Sequence, residues 1–362
     1  MKILCVVGAR PNFMKIAPLM REMLLYPEIS PVLVHTGQHY DPEMSDVFFR
    51  DLEIPPPNLH LGVGSGSQAE QTGKVMVAFE AVLEKGGADL VLVVGDVNST
   101  LACSVVSAKK GIEVAHVEAG LRSFDRSMPE EINRIVTDAL STYHFTTSRD
   151  ADQNLLREGA RKEGIHFVGN VMIDTLLRFS AKAEASSIRR DLRLNGDYAL
   201  LTLHRPSNVD QSGPLRRIFK ALETVGERLP IIFPVHPRTR KMLEGFGVSA
   251  AGPGLKMVEP MGYLDFIHLE KHARLVLTDS GGIQEESTVL GVPCLTLREN
   301  TERPVTLTEG TNVLVGNSTQ RILEEASRVL DGKSRSRKVP ELWDGKASER
   351  IVAKLRVIGG LA

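Results

Sequence analysis

Hydrophobic positions along the chain fall into two alternating rhythms. Short β-branched runs at 2–7, 31–36, 90–95, 113–117 and 143–146 predict strands. Between them, apolar residues recur every three to four positions at 13–25, 68–84, 100–109, 130–139 and 151–158, which predicts helices. The pattern then repeats, with strands at 198–203, 231–234, 255–258, 275–278 and 294–297 and helices at 215–228, 263–271, 283–290 and 321–330. Runs such as LVLVVG are apolar throughout, as in strands whose two faces are both covered by helices. Strand–helix alternation of this kind predicts an α/β fold with parallel, doubly wound sheets. Two such series predict two domains, 1–168 and 169–346, joined through a polar helical stretch near 168–193. A final amphipathic helix at about 347–362 follows a charged, turn-rich segment.

The length of 362 residues agrees with two domains. Lys and Arg total 44 against 45 Asp and Glu, a formal net charge of −1. That balance excludes a bulk nucleic-acid binder and a binder of anionic membranes, though not a local basic pocket. Cys5, Cys103 and Cys294 are scattered and show no C-x-x-C or metal-finger spacing, so they read as reduced, mostly buried thiols. The apolar run in the opening MKILCVVGARPN is shorter than the roughly 7–15 residues of a signal-peptide core. No stretch approaches the roughly 18 apolar residues of a membrane span. The expectation is a cytoplasmic protein that makes no use of membranes or nucleic acid.

In open α/β sheets ligands bind beyond the carboxyl ends of the strands, and the unusual residues collect there. After the first strand comes GARPNFMK, with Arg10 in the turn and Lys15 on the first turn of the next helix, cations suited to an anion. LVLVVG runs into GDVNST, and the next strand runs into HVEAGLRSFDRSMPEEINR. Asp96 and Glu118 therefore reach one rim, with Glu130, Glu131 and Arg134 opening the following helix. Asp96 alone reads equally well as a helix cap, and Glu130 as a partner of a helix dipole. Carboxylates converging beside arginines suggest acid–base chemistry.

In the second half, His204 and Arg205 follow a strand in TLHRPSNVD, and His236 and Arg238 follow another in FPVHPRTR. Neither histidine pair has metal-ligand spacing, so no metal is assigned. TDSGGIQEES places Ser280, Gly281 and Gly282 between strand and helix, where their N–H groups suit a phosphate. Glu286, one turn later, could accept hydrogen bonds from a ribose diol, and Arg303 adds a further cation. GVGSGS at 62–67 lacks the third glycine of a dinucleotide fingerprint, and Gly73-Lys74 is not preceded by a phosphate-binding loop.

Taken together and in order, GARPNFMK, TGQHYDPEM, GDVNST, HVEAGLRS, MPEEINR, TLHRPSNVD, VHPRT, TDSGGIQEE and TERP resemble the non-hydrolysing UDP-N-acetylglucosamine 2-epimerases over nearly the whole chain. The resemblance implies a GT-B architecture, in which two Rossmann-like domains face each other across a cleft and a C-terminal helix returns to the first. It implies interconversion of UDP-N-acetylglucosamine and UDP-N-acetylmannosamine without cofactor or metal, a UDP-sugar substrate and a homodimer. By motif, Arg10, Lys15, Asp96, Glu118, Glu130, Arg134 and His204 resemble the catalytic group. Arg10, His236, Phe266, Ser280, Gly281, Gly282, Glu286 and Arg303 resemble the substrate-binding group, with Phe266 placed near the uracil.

Relatives regulated by a second substrate molecule resemble QHRxM in the second motif. Gln38, His39 and Gln71 are kept here, but Tyr40, Asp41 and Glu70 depart from that pattern. Rival readings are a hydrolysing epimerase, a GT-B glycosyltransferase and a silent sugar-nucleotide sensor.

Overall fold

A computed structural model describes residues 1–38, 49–249, 252, 254–334 and 338–361, apart from the side chain of Arg10. His39, Tyr40 and Asp41 lie outside the described residues. The chain forms two compact units, 1–177 with 341–362, and 178–340.

The first unit is built on a seven-stranded parallel sheet. Its strands are β1 (Lys2–Val7), β2 (Ser30–His35), β3 (Leu59–His60), β4 (Leu90–Val94), β5 (Glu113–Ala119), β6 (Tyr143–Thr146) and β7 (Ile165–Phe167). They lie in the order β3-β2-β1-β4-β5-β6-β7. The second unit has six parallel strands: β8 (Ala199–Thr202), β9 (Ile231–Pro234), β10 (Leu255–Val258), β11 (Leu275–Thr278), β12 (Cys294–Thr296) and β13 (Asn312–Leu314). Their order is β10-β9-β8-β11-β12-β13. Both are doubly wound, Rossmann-like sheets. Each reverses its winding between two neighbouring strands, β1 and β4 in the first unit and β8 and β11 in the second, and crevices for ligands open at such points.

The continuous apolar strands have the burial that their sequence predicts. Leu90–Val94 is buried at every position. In the second unit Ala199, Leu201 and Leu203 pack with Ile218 and Leu222, while Leu200 packs with Leu269 and Val276 in a separate cluster. Successive side chains of a strand point to opposite faces, so both faces of the sheet are covered by helices. All three cysteines are buried and free.

The final helix, Ala347–Ile358, belongs to the first unit. Asp174 accepts from the N–H groups of Ala347 (3.0 Å) and Ser348 (2.7 Å) at its start, and Arg356 pairs with Glu28 at 2.8 Å near its end. Helix Val171–Ala183 starts in the first unit and ends in the second. The units therefore divide after Leu177, beyond the 168/169 boundary read from sequence. Asp174 and Thr175, whose hydroxyl donates to Met14 O at 2.6 Å, tie the early turns of that helix to the first unit. Residues 341–346 also belong there, anchored by Trp343, whose indole N–H donates to Thr147 O at 2.8 Å. Among the described residues, no helix is long and apolar enough to cross a membrane.

Candidate functional site

Each sheet carries a cluster of ionisable residues at its winding reversal. In the first unit, the helix after β1 is Arg10–Met23, which starts three residues earlier than its apolar pattern suggests. Lys15 thus lies in its second turn rather than its first. The start at Arg10 is stabilised by Asn12, whose side-chain oxygen accepts from the N–H groups of Gly8 and Ala9, both at 3.1 Å.

Lys15 Nζ lies 2.7 Å from Glu118 Oε2, and both side chains are buried. Glu118 sits at a register shift between β5 and β6, where its φ is 72°. A left-handed conformation is costly for a side-chain-bearing residue and gathers where structure is shaped for function. The bulge re-aims the carboxylate onto Lys15 before pairing with β6 resumes at Ala119. Beside this pair Gly95 adopts φ 67°, and a Cβ there would lie 2.8 Å from Lys15 Nζ. Only glycine leaves that path open to the ammonium.

Asp96 follows Gly95 but does not cap the next helix, Asn98–Lys109, whose N-cap is Val97. Its carboxylate instead pairs with the Arg134 guanidinium, which also pairs with Glu131 one turn earlier on helix Pro129–Leu140. Glu131, which the motif does not single out over Glu130, is fully buried. It further accepts from the amides of Ser123 (3.0 Å) and Phe124 (2.9 Å) and from the Ser123 hydroxyl (2.9 Å). Glu130 occupies the same first turn, half-buried. Behind them His116 bridges Gly95 O (2.8 Å) and Asp138 (2.6 Å). Burial would raise the Asp138 carboxyl, but His116 and Arg122 outweigh it and hold the group below the usual range. The result is a buried, charge-paired floor under the ends of β4 and β5.

Gln38 and Gln71 are buried in a hydrogen-bonded chain. Gln38 Oε1 accepts from the Ser99 amide and hydroxyl at 3.0 and 2.8 Å, and Gln71 Nε2 donates to Gln38 O at 2.9 Å. Asn98 Nδ2 donates to Gln71 Oε1 at 2.8 Å, and Asn133 Nδ2 donates to Asn98 Oδ1 at 3.1 Å and to Asp96 O at 2.9 Å. Neighbouring groups thus link both glutamines to Asp96.

In the second unit the centre is Asp279, directly after β11, a residue within the TDSGGIQEES motif whose role the sequence alone does not reveal. It accepts from the amides of His204 (3.0 Å) and Arg205 (2.8 Å) and from Asn208 Nδ2 (3.2 Å), and His204 Nδ1 lies 3.0 Å away. Burial pushes its carboxyl up, but the His204 imidazole and these N–H groups prevail and hold it low. With Nδ1 held, His204 Nε2 is turned away from Asp279, and the side chain is 44% exposed, enough to meet a ligand.

His236 N-caps helix Pro237–Gly245, with Nδ1 accepting from the Arg238 amide at 3.2 Å, and its ring lies 6.4 Å from that of His204. Ser280 is the N-cap of helix Gly281–Leu290. Its own amide donates to Thr278 Oγ1 at 3.0 Å, so the expected trio of phosphate-facing amides reduces to Gly281 and Gly282. Those two belong to the first helical turn, where amides lack intrahelical acceptors. A Cβ on Gly281 would overlap Arg303 Nη1, so the guanidinium packs directly over this turn. Arg303 is buried and paired with Glu285 (2.8 Å) and Glu302, which fixes its plane.

Glu286 is buried and accepts from the Tyr263 hydroxyl at 2.8 Å. Burial pushes its carboxyl up to about 7, and Glu270, buried beside it, is also raised. Phe266, on helix Tyr263–Lys271, is half-buried against the cluster of Leu200, Leu269 and Val276.

A family model described as UDP-N-acetylglucosamine 2-epimerase matches residues 22–356. The UDP-N-acetylglucosamine 2-epimerase of Methanocaldococcus jannaschii is 44% identical over 361 residues, covering 97% of this chain and 98% of its own length. A Pseudomonas aeruginosa protein named UDP-2,3-diacetamido-2,3-dideoxy-D-glucuronate 2-epimerase is 40% identical, covering 98% of this chain and 99% of its own. The crystal structure of Methanocaldococcus jannaschii UDP-GlcNAc 2-epimerase in complex with UDP-GlcNAc and UDP superposes with a TM-score of 0.93 at 44% identity, covering 99% of this chain and all of that one. The paired Rossmann-like sheets, the residues at their winding reversals and this likeness along nearly the full length lead to one conclusion: the chain belongs to the UDP-N-acetylglucosamine 2-epimerase family of isomerases.

Proposed function

We propose that this protein interconverts UDP-N-acetylglucosamine and UDP-N-acetylmannosamine by eliminating UDP and adding it back. The observation that carries the reading is the buried Lys15–Glu118 pair beside the Asp96–Arg134–Glu131 network, in a chain of this family. The C-2 hydrogen of a pyranose has no neighbouring carbonyl to acidify it. Breaking the C-1–O bond to UDP develops positive charge at C-1, which makes that hydrogen removable. A carboxylate takes the proton, the C–H electrons form the C-1=C-2 bond, and 2-acetamidoglucal and UDP result. Protonation of C-2 on the opposite face and attack of a UDP oxygen on C-1 give the epimer.

In this reading Asp96, Glu118 and Glu130 transfer the protons, with Lys15 and Arg134 positioning two of them. Arg10, Arg303, His204 held by Asp279, and the amides of Gly281 and Gly282 stabilise the departing diphosphate. His236, Ser280, Glu286 and Phe266 complete the binding of the nucleotide. The assembly is a homodimer, which light scattering of the purified chain tests. NMR of the products formed from UDP-N-acetylglucosamine alone tests the reaction. The epimeric nucleotide sugar supports it, whereas free N-acetylmannosamine with UDP would indicate hydrolysis. Because a 40% identical relative is named for a diacetamido glucuronate, that nucleotide sugar belongs in the same assay. Turnover of it alone would move the assignment to the acidic sugar.

A further inference from the structure

We propose that Glu184, His268 and His272 form a binding site for a divalent transition metal such as zinc. None of the three is assigned to the sugar-nucleotide reaction. In the sequence HLEKH, the two histidines stand four residues apart, on helix Tyr263–Lys271 and at its C-cap, so they share one face. Glu184 directly follows helix Val171–Ala183. One ligand atom from each residue lies within 4.8 Å of the other two.

The hydrogen bonds around the site prepare it for a cation. His268 Nδ1 lies 2.9 Å from Ala183 O. A carbonyl only accepts, so Nδ1 carries the hydrogen and Nε2 keeps its lone pair, the arrangement found behind metal-bound imidazoles. His272 Nε2 lies 3.2 Å from Glu184 Oε2. Two ligands at about 2.0–2.1 Å from a tetrahedral zinc ion are about 3.3–3.4 Å apart. An ion can therefore replace the proton between these two atoms with little movement, and His268 offers a ligand atom within 4.8 Å of both. The other carboxylate oxygen, Oε1, is 2.5 Å from Lys271 Nζ. That ammonium competes for the carboxylate's charge, but it leaves Oε2 toward the histidines and fixes the plane of the group. With Glu184 and His272 both exposed, water completes the fourth position. Two imidazoles and one carboxylate suit zinc, cobalt or nickel better than magnesium or calcium. A bound ion would fasten the end of helix Val171–Ala183 to the helix that carries Phe266.

The test is calorimetric titration of the chelator-treated, full-length protein with zinc chloride, repeated on the Glu184→Gln and His272→Ala variants. Both substitutions fall at solvent-accessible positions, and melting in the absence of metal checks that each variant folds. The expected result is one ion per chain, with affinity weakened more than about tenfold by either substitution. Absence of stoichiometric binding, or equal binding by the wild type and the conservative Glu184→Gln variant, would overturn the proposal.

Discussion

Lys15 Nζ and Glu118 Oε2 meet at 2.7 Å inside the first unit, and Glu118 holds a φ of 72° while doing so. A buried ion pair gives little net stability, but either half left alone is an uncompensated buried charge, worth about 3–5 kcal/mol. Lys15→Met is therefore expected to lower the melting temperature by on the order of 10 °C and to abolish turnover. The double variant Lys15→Met/Glu118→Leu should regain part of the stability and none of the activity, as calorimetry and a product assay would show together.

The backbone at Glu118 makes a separate prediction. Glu118→Ala and Glu118→Gly both delete the carboxylate, but only glycine accepts the left-handed conformation without strain. Urea unfolding should find the glycine variant more stable by about 1 kcal/mol. The usual order, alanine above glycine, would show that the bulge relaxes once the ion pair is gone.

Gly281→Ala tests the phosphate-facing turn. The new Cβ would overlap Arg303 Nη1, and Glu285 and Glu302 restrain that guanidinium from moving aside. Loss of a charge-assisted contact is worth about 1.5–3 kcal/mol, or roughly 10- to 100-fold in UDP affinity by calorimetry. Unchanged affinity with unchanged stability would separate Arg303 from nucleotide binding.

A pH dependence arises from Glu286 and Glu270. Burial raises both carboxyls, Glu286 to about 7, so the folded state holds protons that the unfolded chain has released. Their stabilising contribution is complete below the ordinary value of 4.5 and is lost as pH rises toward about 7. Glu270→Gln removes one of the two acids, so the variant should gain on the wild type in melting temperature between pH 5 and pH 8. Parallel profiles would contradict a raised Glu270 carboxyl.

Much of this is legible in the chain because strand ends carry the chemistry in doubly wound sheets. Asp96, Glu118, His204 and the Ser-Gly-Gly turn stand out because each lies just past an apolar run. Glu131 and Asp279 do not stand out, because their importance lies in what they hold. Glu131 differs from Glu130 by one position on a helix, and only tertiary packing decides which of the two turns inward to Arg134. Asp279 is defined by amides 74 and 75 residues away in the chain. The strands Leu59–His60, Ile165–Phe167 and Asn312–Leu314 are too short to show a period. The left-handed turn at Glu118 has no sequence signal at all, since the residue there is not glycine.

Elimination through a glycal is the central claim, and the fate of the C-2 hydrogen tests it most directly. In deuterated water, mass spectrometry and NMR should find each epimerised product carrying solvent deuterium at C-2. Epimerisation with full retention of the original C-2 hydrogen would contradict the account.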